Sequence, residues 1–251
     1  MATLPPSPGG SPADAADTDR LRRLPILSHA AEDVLQRAAR SVAWRTYAAG
    51  ELIIDLQDTS HDVWFVVDGS VRVQVRTPSG RELILTDIGA GGMFGEIAAI
   101  DGKSRTASAT ALLRSRLCAI PAAVFLEVSC SAPATCHAVL THMAAILRRQ
   151  SKRLLERDAL PVRLRLQAEL LRLSRPRSGS ARSAEERVVS PPPRQHVLAG
   201  LVGTRREAIS RELAELVRQG TILRERGAIV IRRPGAMRAA LEAELDAELG
   251  F

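Results

Sequence analysis

A carboxylate and a guanidinium stand nine residues apart between Phe94 and Ala107, with a glycine directly before the carboxylate. Glu96 can accept hydrogen bonds from a ribose hydroxyl, and Arg105 offers a planar fork of donors that matches phosphate oxygens. Gly95 permits close approach of the backbone to a ligand. The spacing therefore suits a small phosphorylated sugar. A surface turn closed by an ion pair is the more frequent meaning of such a short pattern, so its surroundings must decide.

A second group of candidate residues lies in a basic third of the chain. Residues 160–233 contain sixteen Arg and seven Glu, with no Lys or Asp, whereas the 251-residue chain as a whole carries +7. Such a concentration of Arg is the electrostatic footprint of a nucleic-acid binder, although it also follows from genome base composition. The near absence of aromatic residues there argues against a stacking platform for single strands.

Within this basic region, apolar spacing predicts two short helices joined at a glycine, with Thr204 as the N-cap of the second. Arg206, Glu207 and Arg211 avoid the apolar stripe of that second helix. Arg pairs with guanine O6 and N7, and Glu accepts a hydrogen bond from cytosine N4, so the helix suits a major groove. A solvated charged face is the alternative. Strand, tight turn and strand are predicted from residue 219 to residue 231, and together with the two helices they make a winged helix.

Short apolar or alternating runs surround the Glu96 to Arg105 segment and predict the elements that position it. Residues 63–67, 71–75 and 82–86 are separated by turn residues and predict strands of a small antiparallel barrel or roll. Residues 105–111 predict a further strand of small residues.

A long helix is predicted between the two candidate sites, over residues 131–159, with proline near both ends. Apolar residues and one glutamine recur at alternating spacings of four and three, which is typical of a two-stranded coiled coil: Cys136, Leu140, Met143, Leu147, Gln150 and Leu154. A helix packed within its own chain is the alternative. Dimerisation is favoured because a reader of palindromic half-sites needs a twofold partner.

Composition narrows the class of protein. The three cysteines, Cys118, Cys130 and Cys136, fit neither a disulfide framework nor a paired zinc site, so a cytoplasmic location without a metal is expected. Residues 1–20 are predicted to be a disordered tail. No apolar run approaches membrane-spanning length, so no membrane partner is expected. No phosphate-transfer motif set follows the first candidate site, so a non-enzyme is predicted.

The segment FGEIAAIDGKSRTASA resembles the phosphate-binding cassette of the cyclic-nucleotide-binding domain, and the similarity extends over residues 50–120. The resemblance implies Gly95 and Glu96 at the ribose, Arg105 on the cyclic phosphate and Thr106 beside it, with Ile97 also among the binding residues. Gln57 stands where the family usually has a glycine in an early hairpin, which concerns a turn rather than the pocket.

The segment RQHVLAGLVGTRREAISRELAELVRQGTILRERGAIVI resembles the DNA-binding domain of the Crp/Fnr family of bacterial transcription regulators, cyclic-AMP receptor type, and the domain order matches over residues 24–233. The resemblance implies that Arg206, Glu207 and Arg211 read bases of a palindrome with TGTGA-like half-sites. It also implies that Arg194 and Gln195 contact phosphates of the DNA backbone, and it places Thr204 among the DNA-binding residues. Double-stranded DNA, RNA polymerase and a second copy of the chain are the expected partners.

The predicted fold class is α+β: an N-terminal antiparallel, jelly-roll-like β-roll effector domain (21–130), the dimerisation helix (131–159), a winged helix-turn-helix domain (160–235) and a C-terminal helical tail (236–251). Gln150 and Ser151 fall where the family uses two hydroxyl residues to contact the base, and only Ser151 keeps that pattern. Thr106 after the cassette arginine is also found in cyclic-GMP-dependent kinases. Cyclic AMP is therefore the first expectation and cyclic GMP its rival. A regulator of this fold that responds to haem, redox state or a metabolite, or that acts without a ligand, remains the alternative.

Overall fold

The computed structural model describes residues 12–77, 82–177 and 185–249. The chain divides within one long helix into two units, the first ending at Ala145 and the second continuing from Ile146.

Two four-stranded sheets form the body of the first unit, in the orders β1-β8-β3-β6 and β2-β7-β4-β5. The pairings of β8 with β1 and β3, of β3 with β6, and of β7 with β2 and β4 are antiparallel. This architecture confirms the predicted β-roll. The strands are β1 (Ala43–Tyr47), β2 (Leu52–Ile54), β3 (Val63–Asp68), β4 (Ser70–Arg76), β5 (Glu82–Gly89), β6 (Met93–Phe94), β7 (Ser108–Ala111) and β8 (Ser115–Ile120).

Strand β3 is buried on both faces, which explains its unbroken apolar run. Because side chains alternate along a strand, Val63 and Phe65 pack into one core with the surrounding helices. Trp64 and Val66 pack into a second core with residues of both sheets. The helices of this unit are α1 (Pro12–Arg22), α2 (Glu32–Ala39), α3 (Glu96–Asp101), α4 (Ala122–Cys130) and the beginning of α5 (Pro133–Ala159).

Two predictions for the first unit are wrong. The tail predicted to be disordered through residue 20 is helical from Pro12, because Thr18 and Leu21 of α1 are buried; residues 1–11 lie outside the described part. The strand predicted from Arg105 begins only at Ser108. Arg105 lies in the loop after α3, where its side chain is drawn into buried hydrogen bonds.

The second unit is a winged helix-turn-helix, as predicted. After the end of α5 it contains α6 (Val162–Leu173), β9 (Arg175–Pro176), β10 (Arg187–Val189), α7 (Gln195–Val202), α8 (Arg206–Arg218), β11 (Ile222–Glu225), β12 (Ala228–Ile231) and α9 (Pro234–Leu249). Its strands form one sheet in the order β11-β12-β10-β9. Apolar residues of α6, α7 and α8 share a core with β10, β11 and β12.

Parts of the segments on either side of the helix-turn-helix belong to the fold of the second unit. The C-terminal segment beyond residue 235 was predicted as a separate helical tail, but α9 begins at Pro234 and Met237 is buried in the core of the unit. Within the stretch of Arg, Ser and Pro between 174 and 193, β10 pairs with β12.

No single helix in the described ranges is long and apolar enough to cross a membrane. Taken together, α4 and α5 have the length and the apolar composition of a membrane span, but they are bent by 117° where they meet.

Candidate functional site

Gly95 shapes the start of the cassette. It is the N-cap of α3 in the left-handed region, with φ +86°, where residues with a Cβ are strained. A Cβ at this position would lie 2.7 Å from Arg105 Nη1 and 2.9 Å from the carbonyl oxygen of Asp62. The position therefore requires glycine both for its backbone angle and for the space that Arg105 occupies.

Arg105 is a buried cation, with 4% of its surface exposed. Its Nη1 donates to the carbonyl oxygen of Gly95 over 2.9 Å. Its Nη2 donates to the Asp62 carbonyl oxygen over 2.9 Å and to Ser60 Oγ over 3.1 Å. Its Nε is buried and has no hydrogen-bond partner in the described part of the chain. All three hydrogen bonds end on neutral oxygens, which leaves the guanidinium charge suited to an incoming anion.

The loop between β2 and β3 holds this guanidinium. Asp58 Oδ1 accepts a hydrogen bond from the Ser60 backbone N–H over 2.8 Å, and this bond lowers the pKa of the Asp58 carboxyl. Burial lowers the pKa of Arg105, while the charges of Asp58, Asp62 and Glu96 act in the opposite direction. The loop thus combines backbone acceptors with nearby negative charge, which favours a charged Arg105 in spite of its burial.

Glu96 opens α3 and is 5% exposed. Its Oε1 lies 4.0 Å from Nε2 of His142, on the part of α5 that belongs to the first unit. The structure therefore brings Gly95, Glu96 and Arg105 to one place, as the sequence predicted, and adds a histidine that the sequence analysis did not select.

The other predicted nucleotide contacts lie on α3, in the loop after Arg105 and on α5. Ile97 is half-buried on α3, and Thr106 is exposed in the loop after Arg105. Gln150 is half-buried and Ser151 is exposed, both on the part of α5 that belongs to the second unit. Their contact with a nucleotide base stays a prediction.

The candidate DNA-reading residues share the exposed face of α8. Ile209, Leu213 and Leu216 bury the opposite face of this helix. Arg206, Glu207 and Arg211 are exposed, with Arg206 and Glu207 in the first turn. Three long polar side chains that are exposed on the N-terminal half of a helix have the arrangement that a recognition helix needs to reach base edges.

The residues that flank the recognition helix differ in part from expectation. Arg194 is the exposed N-cap of α7, and Gln195 is its half-buried first residue. The prediction that Thr204 caps α8 is wrong, because the N-cap is Arg205. Thr204 instead follows Gly203, which ends α7 at φ +74°, and its N–H donates to the carbonyl oxygen of Ala199.

One row of α5 exposes large apolar side chains. Leu140, Leu147 and Leu154, seven residues apart, are 61%, 66% and 61% exposed. Exposed leucines in a regular row are unusual in a single chain and indicate a surface that another helix covers.

A cluster of buried charges joins the end of α5 to α6. Arg172 Nη1 donates to both carboxylate oxygens of Glu156 over 2.8 Å, and its Nη2 lies 2.8 Å from Glu169 Oε2. Both glutamates are buried. Burial opposes the charge of Arg172, but the two carboxylates outweigh it and raise the pKa of the arginine. The spacing of Glu169 and Arg172 along α6 was the only sign of this cluster in the sequence.

Two domain families match the chain. The model of the cyclic nucleotide-binding domain matches residues 44–129, and that of the Crp-like helix-turn-helix domain matches residues 164–240.

Two relatives in sequence have names that refer to cyclic AMP. The chain is 30% identical over 211 residues to the cyclic AMP receptor protein of Thermus thermophilus, a match that covers 82% of this chain and 88% of that protein. It is 29% identical over 169 residues to the CRP-like cAMP-activated global transcriptional regulator of Mycobacterium tuberculosis, covering 67% and 75%. In fold, it matches the c-di-GMP responsive global regulator CLP of Xanthomonas campestris with a TM-score of 0.67, at 21% identity and over 86% and 98% of the two chains.

Proposed function

We propose that this chain, which belongs to the Crp/Fnr family of transcription regulators, is a cyclic-AMP-responsive homodimer that reads palindromic DNA through α8. The chain matches a cyclic nucleotide-binding domain and a Crp-like helix-turn-helix domain, and its relatives include a cAMP-activated global transcriptional regulator. The effector, the site residues, the dimer and the DNA sequence are the proposed parts.

The observation that carries the proposal is the buried guanidinium of Arg105 beside Gly95 and Glu96. The hydrogen bonds of Arg105 go to neutral carbonyl and hydroxyl oxygens, so its buried charge is stabilised further by a partner that is negatively charged and has several acceptor oxygens. A cyclic phosphate has both properties. The Glu96 carboxylate, nine residues before Arg105, then accepts a hydrogen bond from the ribose, as the family resemblance implies.

Cyclic AMP is the proposed effector, and cyclic GMP is the alternative. The Thermus relative is called a cyclic AMP receptor protein, and the Mycobacterium relative is called cAMP-activated. Thr106 favours the alternative, since its exposed hydroxyl directly follows Arg105 and could bond to a guanine edge. In this proposal Ser151 and Gln150 contribute to the choice between the two bases.

A homodimer is proposed from the exposed row of α5. Pairing two copies of Leu140, Leu147 and Leu154 across a twofold axis would bury three side chains that are each more than half exposed. The same axis would present two copies of α8 to the two halves of a palindrome.

The proposed mechanism is a shift between two arrangements of the dimer. The reorientation is proposed near residues 158–161, where α5 ends at Ala159 and Pro161 precedes α6. Nucleotide must bind the DNA-competent arrangement about 5.5 kcal/mol more tightly than the other for a nearly complete switch. Contact with RNA polymerase is proposed from the family alone.

Footprinting on genomic DNA, with and without each cyclic nucleotide, tests this function. The proposal expects protection of TGTGA-like palindromes that depends on cyclic AMP or cyclic GMP. Equal protection without nucleotide would support a regulator that acts alone, and protection that requires haem or a change of redox state would support the other alternative. Absence of protection under every condition would contradict DNA reading by α8.

A further inference from the structure

His142 lies on the face of α5 that packs into the first unit. Thr135, Val139 and His142 follow one another at spacings of four and three, which places them on one side of the helix. Thr135 and Val139 are buried, and Val139 belongs to the core shared with α1, α2 and α4. Leu140, two residues before His142, points to the opposite side and is 61% exposed. His142 is thus an ionisable residue on a packed face, away from the proposed dimer surface.

The histidine meets the carboxylate that the proposed function assigns to ribose. Nε2 of His142 is shielded from solvent and lies 4.0 Å from Oε1 of Glu96. The side chain of Glu96 is 6% exposed, so its charge is almost entirely removed from water. A buried carboxylate depends on the groups around it to remain ionised and to keep one orientation.

An ionised, fixed Glu96 is what a ribose hydroxyl requires. An ionised carboxylate only accepts hydrogen bonds, whereas a protonated one also donates and offers a weaker acceptor. Arg105 contributes one positive charge from the cassette side. His142 approaches from a different element, α5, and its Nε2 lies 4.0 Å from Oε1 of Glu96, which is within reach of an electrostatic interaction and beyond hydrogen-bond distance.

We propose that His142 is a positioning residue for Glu96, which sets the preference of the pocket for a ribose 2′-hydroxyl over a 2′-deoxyribose. The inference rests on the proposed cyclic-nucleotide function. His142 acts through Glu96, so its effect is confined to the part of the affinity that the 2′-hydroxyl contributes.

The test is a titration of the full chain with cyclic AMP and with 2′-deoxy cyclic AMP by calorimetry. Wild type should prefer the ribose form by about tenfold to a hundredfold, the range of one hydrogen bond to a charged group. His142→Leu should reduce this preference at least threefold and leave the affinity for 2′-deoxy cyclic AMP unchanged. His142→Gln, which keeps an N–H donor at similar reach, should retain the preference. Val139→Ala is the matched control, since it alters packing on the same face and should leave the ratio unchanged.

The 2′-deoxy nucleotide also reports whether each variant is folded, and His142→Ala replaces His142→Leu if the leucine variant does not fold. An unchanged preference in the variant that lacks the donor would overturn the role of His142 while leaving the proposed function intact. The role of His142 would also be overturned if the affinities for cyclic AMP and 2′-deoxy cyclic AMP fell by the same factor in the Leu variant. It would be overturned as well if the Leu and Gln variants lost the preference for the ribose form equally. A wild type that binds neither nucleotide would overturn the proposed function and the role of His142 with it.

Discussion

Arg105 Nη1 donates a hydrogen bond to the carbonyl oxygen of Gly95 over 2.9 Å. Arg105 is the proposed phosphate-binding residue, and Gly95 directly precedes Glu96, the proposed ribose-binding residue. The two ends of the cassette are therefore one structural unit. A change at either end is expected to reach the other.

Replacing Gly95 with alanine tests the fit of this unit, with Gly102→Ala as the matched control. Both glycines have positive φ, so both substitutions should lower the free energy of unfolding by about 1–2 kcal/mol. A Cβ at Gly102 meets nothing within 4 Å, whereas one at Gly95 collides with Arg105 and the Asp62 backbone. Denaturant unfolding should show the larger stability loss for Gly95→Ala, because the collision adds to the backbone strain, and calorimetry should show a large loss of nucleotide affinity for Gly95→Ala only. Equal affinities in the two variants would contradict the tight packing of Arg105 on Gly95.

For DNA reading, Arg206→Ala should cost about 1–3 kcal/mol of binding to the preferred palindrome and should relax the preference at one guanine. Arg206 is exposed at the start of α8, so the loss comes from base contacts rather than from packing. Binding to operators substituted at each position measures the effect. Arg218→Ala, at the far end of the same helix, should leave the base preference unchanged. A loss of equal size on every sequence would instead make Arg206 a phosphate contact.

Dimerisation through α5 predicts that Leu147→Glu produces a monomer in analytical ultracentrifugation. The leucine is 66% exposed in the single chain, and a carboxylate in its place would lie opposite its own copy across the twofold axis. Ala145→Glu introduces the same charge at an exposed position on the other side of the helix and should leave the dimer intact. A dimeric Leu147→Glu variant would show that α5 is not the seam.

The buried cluster at the end of α5 predicts a loss of stability in Arg172→Ala. Removing the arginine leaves Glu156 and Glu169 buried without their shared cation, and the expected cost is about 3 kcal/mol, the lower end for a broken buried pair because Arg172 is partly exposed. Arg218→Ala removes the exposed pair with Glu215 and should change the free energy of unfolding far less, because solvent screens exposed ion pairs. Similar free energies of unfolding for the two variants would mean that the cluster contributes little.

The parts of the site that are continuous in sequence could be predicted, and the parts that depend on packing could not. Gly95, Glu96 and Arg105 lie within eleven residues, and Arg206 to Arg211 lie on one helix, so their grouping could be predicted from the sequence, while their roles come from the family resemblance and stay predictions. The acceptors that hold Arg105 include the backbone carbonyls of Gly95 and Asp62, which have no signature in the sequence. His142 is 46 residues from Glu96 and comes within 4.0 Å of it only in the folded first unit.

The prediction of secondary structure was wrong where a tertiary contact overrode the local sequence pattern. The run of small residues after Arg105 has strand character, but the burial of Arg105 delays the strand to Ser108. The Pro- and Ser-rich stretch after α6 has the composition of a linker, yet β10 gains a partner in β12.

Calorimetric titration of wild type and Arg105→Leu with cyclic AMP and cyclic GMP tests the central claim most directly. Arg116→Leu, which removes an exposed arginine from β8, is the control. Wild type and the control are expected to bind one of the two nucleotides at micromolar concentration or better, and Arg105→Leu to lose about a hundredfold or more, as expected for the loss of a charged, bidentate contact. Retained micromolar affinity in Arg105→Leu, or no binding of either nucleotide by wild type, would contradict the assignment of this pocket.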